Sequence, residues 1–341
     1  MTAVTLARIA TSVDMGQQIA ESNLLSALLT LAPATVSSLA FSTLRSHVTA
    51  DRRLPLDRLS RAPWQAQRAV GAWAYRGAAL VHRLDLKLPP APRQEILTVH
   101  DLAPLRFDDE GAMPTHAARS LRGAGAIVCP SHFAAGEIHE VFGAENVHVI
   151  PNGVPPEFIS AVPMSPNDLA AWRISSRYVL HSGGATRRKN LLPLAIAWPE
   201  VTRAFPDVTL VLCGPPDPRR TELFSNLPGT RILGRVARAA HVQLTAGAET
   251  VVVPSLYEGF GLPVVEAQAC GVPVVASRRS SLPEVCGPSD LLVEPTAEGL
   301  AEGLCKVLDR PVALTTHGRQ PVWTWEMAAR AHLELYEACF Q

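Results

Sequence analysis

Short apolar runs alternate with helical periodicity through the second half of the chain. YVLHSGG (178–184) and VTLVLCG (208–214) are continuous apolar runs that end in glycine, the pattern of strands buried on both faces. Between them LLPLAIAWPEVTRAF predicts a helix, and TRILGRV, ETVVVPS, VPVVAS and DLLVEP continue the strand series. Strand, helix and strand at this spacing predict a parallel sheet with crossover helices, whose ligands sit beyond the carboxyl ends of the strands. Functional residues are therefore expected in the loops that follow strands.

The first half is less regular. TLARIATSV, the apolar stretch at 31–42, EILTVHD, GAIVCPS and VHVIPNG read as strands, with QQIAESNLLSALLTL and SHFAAGEIHEVF as helices. This predicts a second α/β domain of the same kind. PNGVPPEFISAVPMSPND has the proline-rich, polar composition of a linker. The expected division is an N-terminal domain over 1–165 and a C-terminal domain over 170–320. WTWEMAARAHLELYEAC is an amphipathic helix; within 323–341 it either packs back across the hinge on the first domain or closes the second.

Composition supports two cores. The chain has 341 residues, 47% of them hydrophobic and 18% charged, which suits two globular domains and excludes a disordered chain. Acidic and basic residues balance at 31 each, which argues against a nucleic-acid-coating protein. The six cysteines form no C-x-x-C pair, so neither a disulfide framework nor a zinc site is expected. No secretory signal and no run of 18 apolar residues is found, so a cytoplasmic location is expected.

The densest chemistry lies in PSLYEGFGLPVVE, residues 254–266. Pro263 suits the first turn of a helix, and Gly271 with Pro273 ends it. Gly259 and Gly261 then lie in the loop feeding that helix, where unpaired N–H groups and a positive dipole end favour an anion. Glu258 and Glu266 bracket the loop, and carboxylates repel anions but read hydroxyl groups well. HSGGATRRKN (181–190) follows a strand and precedes a helix, so Arg188 and Lys189 belong at the same ligand-binding edge. His100 and Asp101, in TVHDLAPLRF, follow a strand of the first half.

These stretches together closely resemble the retaining GT-B glycosyltransferases with a Glu-x7-Glu signature, the large family 4 or group 1 class that includes mannosyltransferases and sucrose synthases. The resemblance is strong from about residue 95 to 310 and looser elsewhere. It implies two Rossmann-like domains with parallel sheets facing a central cleft, and transfer of a hexosyl group from a nucleotide-sugar with retention. It assigns Glu258 to hydroxyls of the donor sugar, Glu266 to the ribose, and Gly259, Phe260, Gly261 and Leu262 to the sugar and diphosphate. Arg188 and Lys189, following Gly183 and Gly184, match the basic pair that grips the diphosphate. His100 matches a histidine near the reacting carbon, with Asp101 orienting it or facing the acceptor. Arg235 and Val236 lie in a stretch, LGRV, that resembles the loop beside the nucleotide base.

Gly16 matches the family's glycine loop near the phosphates, although relatives have two adjacent glycines where this chain has Met15 and Gly16. Ser131 and Asn152 also fall at family positions near the cleft. No Asp-x-Asp motif stands where a metal would be held, so a metal-independent enzyme with no cofactor is expected. The HDL-type first domain and SSLPEV (280–285) are similar to bacterial enzymes of polysaccharide assembly that use GDP-mannose or a related hexose or deoxyhexose nucleotide, which makes mannosyl the first sugar expected, with glucosyl, rhamnosyl and N-acetylglucosaminyl open, and a glycan, lipid-linked or small molecule the acceptor. A GT-B nucleotide-sugar epimerase and a non-catalytic nucleotide-sugar-binding subunit are the alternatives.

Residues 44–83 carry eight arginines against two aspartates, interleaved with Trp64, Trp73 and Tyr75. A helix over 61–76 places Ala62, Ala66, Ala69, Val70 and Trp73 on one face, with Arg61, Arg68 and Arg76 elsewhere. Such a segment fits peripheral contact with an anionic bilayer at the inner face of the cell membrane, or an ordinary solvated helix.

Overall fold

The structure, a computed structural model, describes residues 4–11, 16–309 and 323–340. Its first sheet consists of β1 (Val4–Ile9), β2 (Val36–Thr43), β3 (Arg52–Leu54), β4 (Leu80–Arg83), β5 (Glu95–Thr98), β6 (Ala126–Cys129) and β7 (Val147–Val149). The spatial order is β3-β2-β1-β4-β5-β6-β7. Every neighbouring pair is parallel, with Val4 opposite both Val36 and Leu80. The second sheet contains β8 (Arg177–Ser182), β9 (Val208–Cys213), β10 (Thr230–Gly234), β11 (Thr250–Val253), β12 (Val274–Ser277) and β13 (Leu291–Val293). Its order is β10-β9-β8-β11-β12-β13, again parallel throughout. Both sheets are those of a doubly wound α/β fold, as the strand–helix alternation predicts.

Helices fall where the apolar periodicity places them. Gly16–Leu31 buries Ala20, Leu24, Leu25 and Leu28 against the first sheet, and Leu191–Ala204 buries Leu194, Trp198 and Val201 against the second. The apolar stretch at 31–42 is divided: Leu31 ends a helix and the strand starts only at Val36. β3 and β4 have no counterpart among the predicted strands. β3 is only three residues long, and β4 reads LVHR, a buried strand with two polar residues that breaks the apolar rule.

The chain divides into two compact units. One runs to Gly153 and includes the segment from Trp323; the other begins at Val154. Residues 154–165, expected in the first domain, therefore belong with the second. Val154 and Phe158 account for this by packing in one apolar cluster with Val242 and Ala269. The amphipathic helix expected within 323–341 spans Trp325–Cys339. It joins the first unit through Trp325, Ala328, Ala329 and Tyr336, which share a core with Leu24, Leu28 and Leu84. Residues 310–320, in the expected second domain, lie outside the described residues.

The basic segment also differs from its expected form. The helix begins at Trp64, not 61, and ends at Ala74; its buried face is Gln67, Gly71 and Ala74. Ala66, Ala69 and Trp73 point outward instead. Arg83 is fully buried and ion-paired to Glu95, so it is withdrawn from any surface role.

Candidate active site

A parallel sheet opens a crevice where its strand order reverses, because the loops leaving the two central strands diverge to opposite faces. In the second sheet that point lies between β8 and β11. The loops after these strands are HSGGATRRKN and PSLYEGFG, the two stretches richest in candidate residues.

The loop after β8 is held by its backbone. The Gly183 N–H donates to the Cys213 carbonyl, and Arg220, itself buried, donates to the carbonyls of Gly183 and Pro215. Gly214 must be glycine, because a Cβ there would collide with the Gly183 oxygen. Arg219 adds a bond to the Ala185 carbonyl at 3.0 Å. After Gly184 the chain forms a single 3₁₀ turn, Arg187–Lys189, and Asn190 turns left-handed at φ 55° to start the next helix. The Asn190 amide donates to the carbonyls of Pro254 and Pro295, tying this loop to the one after β11.

The two loops meet at Glu258. Lys189 Nζ donates to Glu258 Oε1 at 2.7 Å, and Arg188 Nη1 donates to Oε2 at 2.9 Å. Ser255 Oγ donates a third bond to Oε1 at 2.7 Å. Glu258 is 6% exposed, Lys189 9% and the Arg188 side chain 17%, so all three charges are largely removed from water. Burial alone would raise the Glu258 carboxyl pKa, but the Lys189 and Arg188 charges and the hydrogen bonds outweigh it, and the pKa falls to about 2. Ser280 and Ser281 brace the loop from the far side: Glu258 N–H donates to Ser280 Oγ, and Ser281 Oγ bridges the carbonyls of Glu258 and Phe260.

Leu262 opens the helix Leu262–Ala269, preceded by Gly261 at φ 109°. That backbone angle favours glycine, and no side chain caps the first-turn N–H groups. Gly259 and Phe260 are buried in the same loop. Glu266 projects from the helix into a different setting. Its carboxylate accepts from Arg238 Nη1 at 3.4 Å; Arg238 also donates to Glu157 at 3.1 Å and lies 4.7 Å over the Phe158 ring. Burial pushes the Glu266 carboxyl up to about 7, with Arg238 only partly opposing it. Arg235 is exposed, whereas Val236 packs against the core of the unit after a left-handed Gly234.

Gly16, His100 and Asp101 belong to the first unit. Gly16 is the first residue of its helix, and residues 12–15 before it lie outside the described residues. His100 Nε2 faces Glu21 Oε1 at 3.7 Å, beyond hydrogen-bond range, and has no hydrogen-bond partner. Glu21 is 2% exposed and accepts from Gln17 at 2.8 Å; burial raises its pKa against the pull of His100 and Gln17. His100, Glu21, Thr98 and Asn152 line one small pocket. Asp101 turns back on its own backbone and accepts from the Ala103 N–H at 3.0 Å. Ser131 caps the helix His132–Phe142 through the Ala134 N–H, an architectural position.

The structure thus brings Arg188, Lys189 and Glu258 into direct contact, sets Glu266 apart with Arg238, and gathers Gly16, His100 and Asp101 around the first unit's strand ends. Sequence reasoning misses Arg238, Ser255, Arg220 and Glu21. Only Arg238 leaves a trace there, as a second arginine three residues after Arg235.

Comparison with known proteins decides the family. The sequence profile for "Glycosyl transferases group 1" matches residues 176–310, and that for "Glycosyltransferase Family 4" matches residues 35–158. The chain belongs to the GT-B glycosyltransferases. It is 31% identical over 248 residues to O-antigen chain mannosyltransferase B of Escherichia coli, covering 66% of this chain and 64% of that protein. The chain thus spans less than two thirds of that relative's length. Among solved structures, sucrose-phosphate synthase from Thermosynechococcus elongatus matches this GT-B chain with a TM-score of 0.79 at 23% identity, covering 100% of this chain and 99% of that one. Anabaena HepE, solved in complex with UDP and glucose, matches with a TM-score of 0.69 at 18% identity, covering 99% and 100%. At these identities the structures speak for the fold alone.

Proposed function

We propose that this GT-B chain is a retaining hexosyltransferase that uses a nucleotide-sugar, with mannosyl as the first sugar and GDP-mannose as the first donor to test. The observation that carries this reading is the contact of Arg188 and Lys189 with Glu258 at the switch point of the second sheet. A nucleotide-sugar is anionic in its middle and hydroxylated at both ends. Two fixed cations beside helix-start N–H groups suit the diphosphate, and the two carboxylates suit the hydroxyls of sugar and ribose. The E. coli relative is a mannosyltransferase, and the Anabaena neighbour holds UDP with glucose, which agree with a sugar moved from a nucleotide.

In this reading the bond from the sugar's anomeric carbon to the diphosphate oxygen breaks, and negative charge grows on the leaving phosphate. Arg188 and Lys189 stabilise that charge, because they are already oriented by Glu258 and need no reorganisation. The acceptor hydroxyl attacks the same face of the sugar, and its proton passes to the departing phosphate oxygen. Cation chemistry then comes from side chains, and turnover in EDTA is expected to persist. The acceptor is a glycan, lipid-linked or small molecule.

Thermal shift against GDP-, UDP- and dTDP-sugars tests the donor, since a ligand that binds the folded state raises its apparent stability. Slow donor hydrolysis without acceptor is expected, with loss in Arg188→Ala. Epimerised sugar in place of hydrolysis would overturn the transferase reading, and binding without turnover would reduce the chain to a binding subunit.

Membrane contact is the outermost part of the same proposal. Trp73 is 56% exposed with the Arg52 guanidinium 4.6 Å over its ring, and Leu44 is 57% exposed. Co-sedimentation with anionic vesicles is expected to fall in Trp73→Ala; an unchanged bound fraction would remove this part. Among the described residues no helix is long and apolar enough to cross a membrane.

A further inference from the structure

The first unit carries a second concave surface that the donor reading leaves unused. A groove of ≈ 450 Å³ is lined by Arg61, Pro63, Trp64, Thr115, His116 and Arg119. Thr115 fastens its two sides, donating both its N–H and its hydroxyl to the Ser60 carbonyl. Arg119 lies 4.8 Å over the Trp64 ring, and the His116 ring is centred 6.0 Å from it.

What distinguishes this groove is the kind of hydrogen-bonding group it offers. Neither Arg61 nor Arg119 forms an ion pair among the described residues. His116 is 5% exposed, and its ring nitrogens approach the Ser60 and Leu86 backbone without completing a full hydrogen bond. Burial first, and then the Arg83 charge, lowers its pKa to about 4 against a smaller opposing effect of the Ser60 and Leu86 backbone. The helix Trp64–Ala74 starts at the groove, and Pro63 before it supplies no side-chain cap. The groove is rich in donors and has no carboxylate in its lining. A neutral sugar needs acceptors for its hydroxyls, as Glu258 and Glu266 would provide at the donor site; this surface calls for a ligand rich in acceptors and negative charge.

Its place in the fold is also informative. Crossover helices run back against the strands of a parallel sheet, so the starts of Trp64–Ala74 and Ala117–Gly123 lie at the strands' carboxyl edge, the edge that carries His100. We propose that this groove binds the phosphate of a phosphorylated glycosyl acceptor, with Arg61 and Arg119 gripping the phosphate oxygens and His116 donating a further bond. The proposal rests on the transferase reading above, since it names the acceptor class for that reaction.

The test is calorimetric titration of the full chain with inorganic phosphate, a hexose 1-phosphate, a short-chain prenyl phosphate and a neutral methyl hexoside. At least one organic phosphate is expected to bind more tightly than inorganic phosphate, and the tighter of the two identifies the source as a soluble sugar phosphate or a lipid phosphate. Arg61→Gln and Arg119→Gln are each expected to weaken that binding at least tenfold, while the thermal shift by the nucleotide-sugar stays in place and shows that the variants are folded. Equal binding of the neutral hexoside, no preference over inorganic phosphate, or unchanged affinity in both variants would overturn the proposal. Absence of any nucleotide-sugar shift in the unmodified chain would instead defeat the donor reading, so the two failures are told apart.

Discussion

The two sheets share a winding but distribute polarity in opposite ways. In the second, β9, β11 and β12 hold no ionisable group but a cysteine, β8 holds one buried histidine, His181, and an arginine, Arg177, at its first position, and the buried ion pairs collect beyond the strand ends at Arg188, Lys189 and Glu258. In the first, β4 and β5 hold His82, Arg83, Glu95 and Thr98 inside the sheet, none more than 7% exposed. Each of these has a partner. Arg83 meets Glu95 through Nε and Nη2 and donates to the Leu88 carbonyl, Glu95 also accepts from Ala91, and His82 lies between Thr98 and Tyr336 at 2.7 Å on either side. Architecture and chemistry both use buried ions here, and position separates them. Charges saturated within strands hold the fold, whereas the charges gathered at a switch point are the ones to which the proposed function assigns a ligand.

Four measurements bear on this contrast. The largest expected effect is at Glu95→Ala, which leaves Arg83 buried and unpaired and is expected to cost about 3–5 kcal/mol in urea unfolding. The nucleotide-sugar thermal shift should survive the change; its loss would mean that the first sheet's ions also serve the donor. Arg188→Ala is the converse: acceptor-independent donor hydrolysis should fall about 10²–10³-fold, with a smaller change in stability because Lys189 still pairs Glu258.

Next comes pH. Glu266 has a folded pKa of about 7, above its ordinary value of 4.5. The unfolded chain therefore ionises first, and the Glu266 contribution makes stability decline as pH rises from 4.5 to about 7, by roughly 3 kcal/mol at most. Melting temperatures of Glu266→Gln and the unmodified chain, compared across that range, should show the slope reduced in the variant; parallel curves would count against a buried, raised carboxyl. The smallest effect is expected for Tyr336→Phe, which removes the hydroxyl bonded to His82 and should cost about 1–2 kcal/mol in the same urea measurement. No detectable change there would mean that His82 is adequately served by Thr98.

Legibility in the sequence follows the same division. The second unit's strands are legible because an apolar run of six or so residues ending in glycine suits a strand buried on both faces and little else, and its loops follow from the strands. β4 is not, because a strand reading LVHR becomes acceptable only once Glu95, Thr98 and Tyr336 are in place, and Tyr336 is 254 residues away. The site is legible as a set of positions but not as a set of contacts. Glu258, Arg188 and Lys189 each stand out, yet nothing local in the sequence shows that residues 69 and 70 positions apart meet on one carboxylate. The opposite titration of Glu258 and Glu266 is equally hidden: burial raises both carboxyls, and two close cations outweigh it at Glu258 while one longer contact with Arg238 does not at Glu266.

The helix Trp325–Cys339 has a consequence for how the molecule is made. Its partners are β4 and the helix Gly16–Leu31, so the first unit is completed by residues translated after the whole of the second. On the ribosome the early half must wait, with His82 lacking Tyr336 and the apolar face of Gly16–Leu31 uncovered, while the later unit already has all of its strands. The order of folding is therefore expected to run against the order of synthesis: the second unit matures first, and the half made earlier is sealed last.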